Sequence, residues 1–295
     1  MSIPGPCGGG SPSALPVEVR GLALITGTTH GIGRVTGREL ARAGYPVLML
    51  CRNLKLGRQV RDEIVRQVPG SCVAVVRCNL ASFASIRNCA AAVRRDFGPI
   101  TLLINNAGMV SMRRRLSIDG FELCFATNHL GPFLLTRLLL DRMDSVGRII
   151  NVSSRVHFRA QLDLKSIDAR HVLYNPAAAY AQSKLANAMF SFALARRLRS
   201  TDITVNCLHP GVVATNLLPP WLRLIKPLIS RRILDPERGA RTTLHLALAP
   251  ELGGLSGLYF DEAQCVQPAS ELATNVHQQE LLWTACERWT GLTGS

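Results

Sequence analysis

The fold of this 295-residue chain is decided by a stretch near its start, Leu22-Ala23-Leu24-Ile25-Thr26-Gly27-Thr28-Thr29-His30-Gly31-Ile32-Gly33. An apolar run of strand length leads into a glycine-rich turn, and a helical pattern follows. Gly27 permits a tight turn, Gly31 lets backbone approach a bound phosphate, and Gly33 lets the helix pack on the strand. The helix then points its free N–H groups at a pyrophosphate. A turn that binds no ligand can have the same sequence, so the surrounding segments must distinguish a dinucleotide-binding turn from a purely structural one.

Outward from this stretch, short apolar runs alternate with helix-length segments of 3.6-residue periodicity. The strand-length runs are Leu22–Thr26, Pro46–Cys51, Val73–Arg77, Thr101–Asn105, Arg148–Ser153, Ile203–Leu208 and the weaker Gly257–Asp261. The helical segments are about 32–43, 57–68, 83–96, 120–143, 178–199, 238–248 and 278–290. Parallel strands need crossover connections, and buried ones are continuously apolar. We therefore predict a single α/β domain over residues 21–295. It is a Rossmann-type doubly wound parallel sheet of about seven strands with helices on both faces.

Composition limits the partners that the chain can have. A formal net charge of +14, from 34 Lys and Arg against 20 Asp and Glu, favours anionic partners such as nucleic acid, acidic lipid or a phosphate-rich cofactor. Much of the excess is arginine on predicted helices, which is also typical of a solvated basic surface. The sequence has no zinc-finger spacing, no aromatic-interleaved basic tract and no basic tail, so we predict no nucleic-acid partner and no metal site.

The cysteines and the first residues indicate the compartment. Nine cysteines without a C-x-x-C pair are typical of a reducing environment. Residues 1–20 carry four prolines and Gly8–Gly10 but no apolar h-region, so we expect a flexible tail rather than a signal peptide or anchor. No run reaches the ~18 apolar residues of a membrane span. We predict a cytoplasmic protein, either free or peripheral to an intracellular membrane.

The end of the second strand predicts which dinucleotide is preferred. An NAD-binding site usually places an acidic residue there for the ribose 2′-OH. Here the strand ends Leu50-Cys51-Arg52-Asn53, without an acid. Arg52 could neutralise the 2′-phosphate of NADP, and His30 could add a donor. The sequence therefore predicts NADP(H) in preference to NAD(H), with a solvated loop arginine as the alternative.

A tyrosine–lysine pair carries the chemistry. Tyr180 and Lys184 lie four residues apart on a predicted helix, so both project from one face. A phenol has a reference pKa of about 10, and a nearby ammonium lowers it, so the pair could exchange a proton with an alcohol or carbonyl. This spacing is common on ordinary helices and gains weight only from other segments. These are Ser154, whose hydroxyl could hold a substrate oxygen, and the small-residue turn Asn105–Gly108.

Together these segments resemble the short-chain dehydrogenase/reductase family over about residues 20–290. The matching motifs, in the family's order, are Thr26–Gly33, Asn105–Gly108, Asn128 within Thr127–Gly131, Ser153-Ser154, Tyr180–Lys184 and Pro210-Gly211. Within the family, the chain is most similar to the retinol-dehydrogenase-like members. That likeness rests on Asn128–Thr136, Tyr180–Asn187, His209–Val213, Ser256–Phe260 and Leu282-Trp283.

The resemblance implies a catalytic tetrad. Tyr180 would be the general acid/base, and Lys184 would tune it while holding the nicotinamide ribose. Ser154, the second serine of its pair, would orient the carbonyl, and Asn128 would position a water that relays protons from Lys184. The implied cofactor-binding residues are Gly27, Thr29, His30, Gly31, Ile32, Gly33, Arg52, Asn53, Asn79, Leu80, Asn106, Ala107, Gly108, Tyr180, Lys184, Pro210, Gly211, Val213 and Thr215.

The chain departs from the family pattern at several places. Asn79 stands where Asp is usual at the adenine, although an amide can still donate and accept. His30 replaces a commoner small polar residue. An insertion, Val156–Ala178, separates Ser154 from Tyr180, as in retinol-dehydrogenase-like members. Many relatives carry an N-terminal membrane anchor, and we expect none here.

The segment expected to face the substrate is about residues 212–236. Within 217–234, apolar residues at helical spacing alternate with basic ones: Trp221, Leu224, Ile225, Leu228 and Ile229, with Arg223, Lys226, Arg231 and Arg232. We interpret it first as a lid for a lipophilic substrate. Docking on an anionic membrane surface and ordinary core packing are the alternatives.

Three functions follow in order of preference. The first is an NADP(H)-dependent oxidoreductase that interconverts a lipophilic alcohol with its aldehyde or ketone, of retinoid, polyprenoid or steroid type. The second is a non-catalytic NADP-binding scaffold, which would have no need of the tetrad. The third is a nucleic-acid binder, which would show steeply salt-dependent binding. The resemblance also suggests a homo-oligomer formed through the helices at about 120–143 and 178–199.

Overall fold

The computed structural model of the protein describes residues 20–168, 173–213 and 234–292. The strands in this part of the chain are β1 (Leu22–Thr26), β2 (Val47–Cys51), β3 (Val73–Arg77), β4 (Ile100–Asn105), β5 (Met143–Val152), β6 (Thr204–Leu208), β7 (Tyr259–Phe260) and β8 (Val266–Gln267). They form one sheet in the order β3-β2-β1-β4-β5-β6-β7-β8. All pairs are parallel except β7 with β8. The predicted doubly wound α/β fold is confirmed, with a short antiparallel eighth strand added to the predicted seven.

Helices cover both faces of this sheet. They are α1 (Gly31–Arg42), α2 (Leu54–Gln67), α3 (Phe83–Asp96), α4 (Leu123–Phe125), α5 (Gly131–Leu139), α6 (Lys165–Asp168), α7 (Pro176–Arg197), α8 (Pro236–Leu248), α9 (Glu271–Thr274) and α10 (Val276–Thr290). Alternate residues of β1 enter two separate cores, because successive strand side chains point to opposite faces. Ile25 packs with side chains of α1, α2 and α8, whereas Leu24 packs with those of α3, α5, α7 and α10.

The segment predicted as one helix over 120–143 is interrupted. A π-helical turn, Ala126–Leu130, separates α4 from α5, and β5 begins at Met143, earlier than the predicted strand at Arg148. By length and composition the stretch Leu123–Arg142 could span a membrane, with a mean hydropathy of 1.2. However, 72% of its apolar window is buried inside the fold. We therefore describe it as a core helix.

The C-terminal helix α10 packs across α5 and α7. The guanidinium of Arg197 lies 3.8 Å from the centre of the Trp283 ring, and that of Arg137 lies 5.0 Å from it. Beneath them, Cys286 Sγ lies 3.3 Å from His129 Nε2. The helices expected to form a subunit interface therefore bury part of their surface within the chain.

Candidate active site

The carboxyl ends of β1 and β4 are joined by the side chain of Thr26. Its Oγ1 accepts hydrogen bonds from the backbone N–H groups of Asn106 and Ala107, each at 3.0 Å. In return, Asn106 Nδ2 donates to the carbonyl of Thr26 at 2.9 Å. The glycine-rich turn and the turn Asn105–Gly108 are thus fixed against each other.

Glycine is required where these turns meet. Gly27 has a φ of +72°, and a Cβ there would lie 2.8 Å from Ala107 Cα. A Cβ at Gly33 would lie 2.4 Å from both the carbonyl oxygen of Gly27 and Asn106 Nδ2. This is the close approach of helix and strand that the sequence predicts for Gly33.

The start of α1 is suited to an anion. His30 occupies the N-cap position, but its side chain makes no capping hydrogen bond, and the first turn has no acidic residue. Its Nδ1 lies 3.1 Å from Thr29 Oγ1 instead. Because the first N–H groups of a helix have no partner within the helix, this end offers donors and a positive dipole.

At the far end of the predicted cofactor site, two of three polar side chains already accept a hydrogen bond within the chain. Asn53 Oδ1 accepts from Leu56 N–H at 3.1 Å and caps α2, and Asn79 Oδ1 accepts from Ala81 N–H at 3.2 Å. Arg52, exposed at the end of β2, makes no hydrogen bond or ion pair with any described residue. Its charge is therefore available to a ligand. Leu80 is buried, with its carbonyl against Gly131.

The two serines at the end of β5 have different tasks. Ser153 is buried, and its hydroxyl donates to the carbonyl of Lys184 at 2.7 Å, which joins β5 to α7. Ser154 is partly exposed, and its hydroxyl interacts with Tyr180. The choice of Ser154 as the substrate-facing serine is consistent with this arrangement.

Lys184 is buried beneath Tyr180. Its Nζ donates to the carbonyl of Val152 at 2.8 Å and lies 5.7 Å from the centre of the tyrosine ring. Burial lowers the pKa of Lys184 to about 8, against a smaller opposing effect of Cys124. An ammonium in this position is costly because it has left water with one hydrogen-bond partner.

The pKa of Tyr180 is governed by its burial. Burial, and then the nearby Cys124, raise this pKa to about 12, and the hydrogen bond with Ser154 opposes the rise. Desolvation of the phenolate is therefore the largest effect among the protein groups. The lowering expected from Lys184 together with a nicotinamide cation stays a prediction. Tyr180 is a neutral phenol near neutral pH.

Asn128 lies in the π-helical turn and connects three segments. Its Oδ1 accepts from Met109 N–H at 2.7 Å, while Nδ2 donates to Met109 O at 2.9 Å and to Ser183 Oγ at 3.0 Å. Ser183 in turn donates to the carbonyl of Tyr180 at 2.7 Å. A Cβ at Gly108 would lie 3.3 Å from Lys184 Nζ and 3.8 Å from Asn128 Oδ1, so Gly108 keeps space beside both.

The Pro210-Gly211 turn follows β6 at the carboxyl end of the strands. Gly211 has a φ of +77°, and its N–H donates to His209 Nδ1 at 3.1 Å. Val213 is buried with Ile32 of α1, so this turn contacts the start of the glycine-rich helix. Thr215 and most of the predicted substrate segment, residues 214–233, lie outside the described residues, as does the predicted tail before Arg20.

Sequence reasoning missed several supporting residues. Thr26 was predicted as the end of a strand and the first residue of a motif, but not as a link between the turns, because its hydrogen-bond partners lie 80 and 81 residues away. Ser183 looked like a spacer between Tyr180 and Lys184. The pair of His209 Nε2 and Glu262, 2.8 Å apart, left no sequence signal, since nothing links those positions before folding. In the described part of the chain, no group of three His, Cys, Asp or Glu could hold a metal.

Comparison with protein families identifies residues 21–223 as a short chain dehydrogenase. Retinol dehydrogenase 13 of Homo sapiens is 36% identical over 295 residues, covering 97% of this chain and 88% of the relative. Polyprenol dehydrogenase of Homo sapiens is 36% identical over 284 residues, covering 92% and 85%. The chain spans most of the length of both.

Solved structures with a similar fold support the same family. A crystal structure of an uncharacterized protein from Mycobacterium Paratuberculosis matches with a TM-score of 0.75 and 32% identity, covering 94% of this chain and 96% of that one. A metagenomic short-chain oxidoreductase in complex with NADP matches with a TM-score of 0.58 and 25% identity, covering 77% and 90%. The chain therefore belongs to the short-chain dehydrogenase/reductase family, among its retinol-dehydrogenase-like members, and is an oxidoreductase that acts on CH–OH groups.

Proposed function

We propose that this oxidoreductase uses NADP(H) to interconvert a lipophilic alcohol with its aldehyde or ketone, of retinoid, polyprenoid or steroid type. The observation that carries the proposal is the meeting of Ser154, Tyr180 and Lys184 at one edge of the sheet, beside two glycine-dependent turns. Relatives named for retinol and polyprenol support the substrate class.

The residues present fit a nicotinamide dinucleotide. The uncapped start of α1 offers N–H donors to the pyrophosphate, and Gly27 and Gly33 themselves carry no side chain at the turn. Gly108 leaves room beside Lys184 for the ribose that the resemblance assigns to this lysine. We propose the remaining contacts at Thr29, His30, Gly31, Ile32, Asn53, Asn79, Leu80, Asn106, Ala107, Pro210, Gly211, Val213 and Thr215.

The preference for NADP(H) rests on Arg52. It is an exposed cation at the end of β2 with no partner among the described residues, and no carboxylate follows the strand. An arginine suits a phosphate because its planar fork offers paired donors. The 2′-phosphate distinguishes NADP from NAD, so we assign it to this side chain.

Four side chains of the protein have separate roles in proton transfer. When bound, the nicotinamide ring donates or accepts the hydride. Tyr180 moves the proton to or from the substrate oxygen, and Ser154 donates a hydrogen bond that orients this oxygen. Tyr180 is protonated near neutral pH, so it holds the proton that a carbonyl oxygen would receive. Lys184 stabilises the phenolate that this step leaves, and Asn128 holds the relay water beside it.

Exposed apolar side chains near the site fit a lipophilic substrate. Val156 and Phe158 follow Ser154, and Val212 follows the Pro210-Gly211 turn; their exposed fractions are 37%, 49% and 55%. Large apolar side chains exposed together indicate a binding surface. We propose that residues 217–234, almost all outside the described residues, serve as a lid over the lipophilic substrate; peripheral contact with an intracellular membrane is the alternative role for this segment. A homo-oligomer would need a surface outside the parts of α5 and α7 that α10 covers.

The test is turnover of all-trans-retinal with NADPH or NADH by the purified protein and by Arg52→Asp, with binding followed by nicotinamide fluorescence. We expect NADPH to support turnover, and its affinity to fall about 10-fold or more in the variant, while NADH binding changes little. Binding of NADPH without turnover of retinal, a polyprenal or a steroid ketone would favour the non-catalytic scaffold. Failure to bind either dinucleotide would refute the cofactor assignment.

A further inference from the structure

A buried histidine, His157, makes two hydrogen bonds to the backbone of Ser154. His157 is 0% exposed, and its Nδ1 lies 2.8 Å from the carbonyl oxygen of Ser154. The backbone N–H of His157 donates to the same oxygen at 3.1 Å. Two N–H groups of one residue therefore converge on the peptide that carries the serine.

The opposite ring nitrogen fixes the tautomer. His157 Nε2 lies 3.2 Å from the backbone nitrogen of Ser270, which can only donate, so Nε2 is the acceptor and Nδ1 carries the proton. Burial lowers the pKa of His157, which is consistent with a neutral ring. Ser270 is the N-cap residue of α9 and lies 113 residues away in sequence.

Aromatic contacts fix the plane of this imidazole. The ring centres of Phe158 and Tyr259 lie 4.1 Å and 4.9 Å from that of His157. In contrast, among the described residues the Ser154 hydroxyl has only a 3.4 Å hydrogen bond from Val156 N–H and its interaction with Tyr180. The direction of this hydroxyl therefore depends on how firmly its own peptide is held.

We propose that His157 is a positioning residue, which aims the Ser154 hydroxyl at Tyr180 by fixing the Ser154 carbonyl. The inference rests on the proposed function, because it requires that Ser154 and Tyr180 carry out catalysis. A histidine with only a structural role would affect α9 and the stability of the chain, and the chemical step would not respond.

Two substitutions separate these roles. In His157→Asn, the amide nitrogen takes nearly the place of Nδ1 and can still donate to Ser154, but it loses Ser270. In His157→Gln, the longer side chain can accept from Ser270 but no longer donates to Ser154. Both remove the ring, so both lose similar packing. Ser270→Ala is the control, because it removes the hydroxyl that caps α9 but keeps the backbone N–H that donates to His157.

The experiment measures kcat and KM with NADPH and all-trans-retinal, together with the NADPH affinity and melting temperature of each variant. We expect His157→Asn to keep kcat within about 3-fold and His157→Gln to lose about 10-fold or more, at equal NADPH affinity, since small displacements of a catalytic group are costly. Ser270→Ala should lower only the melting temperature. Equal kcat in the two His157 variants, or a lower value for Asn, would overturn the inference. A wild-type protein inactive on retinal, a polyprenal and a steroid ketone would instead refute the proposed function.

Discussion

The glycine-rich turn and the catalytic cluster lie at the same edge of the sheet but are stabilised in different ways. The turn depends on close packing around its backbone, because a Cβ at Gly27 or Gly33 would overlap atoms of neighbouring residues, so neither position can carry a side chain. The cluster depends on polar side chains, most of them buried, that are held by hydrogen bonds, as at Ser153, Lys184 and Asn128. Changes in the turn should therefore affect folding and cofactor binding together, whereas changes in the cluster should affect chemistry while the fold persists.

The sharpest test of this separation is Tyr180→Phe. We expect kcat for retinal reduction to fall by about 10²–10⁴-fold, the usual contribution of a positioned acid or base, with NADPH affinity and urea stability near wild type. The ring and its packing remain, and only the hydroxyl is lost. A variant that retained most of its turnover would contradict the assignment of the proton to this residue.

The turn should respond in the opposite way. In Gly33→Ala, the new Cβ would meet Gly27 O and Asn106 Nδ2 at 2.4 Å, so we expect a loss of about 1–3 kcal/mol in the free energy of unfolding, together with loss of NADPH binding. Gly98→Ala is the matched control, because nothing lies within 4 Å of the added Cβ. Urea unfolding and fluorescence titration measure both effects, and equal results for the two variants would show that the close approach is unimportant.

Thr26→Val tests the connection between the two turns. It leaves the N–H groups of Asn106 and Ala107 without their acceptor, which should cost about 1–3 kcal/mol of stability and weaken NADPH binding, with kcat at saturation little changed. Thr36→Val is the control: the Thr36 hydroxyl is buried and has no hydrogen-bond partner in the described structure, so valine should be neutral or stabilising there. A similar loss in both variants would contradict the role of Thr26.

A smaller effect should appear in the pH dependence of stability. Burial lowers the pKa of Lys184 to about 8, below its ordinary value of 10.5, so between these values the unfolded chain binds more protons than the folded one. Lys184 should therefore make stability rise with pH over that range. Relative to Lys184→Met, the wild-type free energy of unfolding should increase by about 1–2 kcal/mol from pH 7.5 to 9.5, given about 1.4 kcal/mol per pKa unit. Parallel pH profiles in urea would show that the ammonium is well solvated.

The sequence predicted one of these two regions better than the other. The turn was predictable because its requirements are local: Gly27, Gly31 and Gly33 lie within seven positions of one another, between a strand and a helix. Tyr180 and Lys184 were found through their helical spacing and the family resemblance. The direction of the Tyr180 pKa shift was not predictable, since it depends on burial by residues distant in sequence.

Some predicted bounds of helices and strands were wrong, because side-chain hydrogen bonds change the backbone where the sequence periodicity is unbroken. The segment around Asn128 was predicted as one continuous helix, but it contains a π-helical turn at the point where Asn128 bonds to the backbone of Met109. The two-residue strand β8 was too short to produce a pattern. His157 was missed because its partners, Ser154 and Ser270, come together only in the folded chain.

The position of α10 has a consequence for synthesis. His129 meets Cys286 across 157 positions, and the guanidinium of Arg87 donates to the carbonyl of Thr290 across 203. Until this last helix has left the ribosome, Phe133 and Phe190 cannot be covered by Trp283, with which both are in ring contact. Nascent chains interrupted before α10 would thus expose an aromatic face on otherwise folded helices, which makes them targets for chaperones and prone to aggregation.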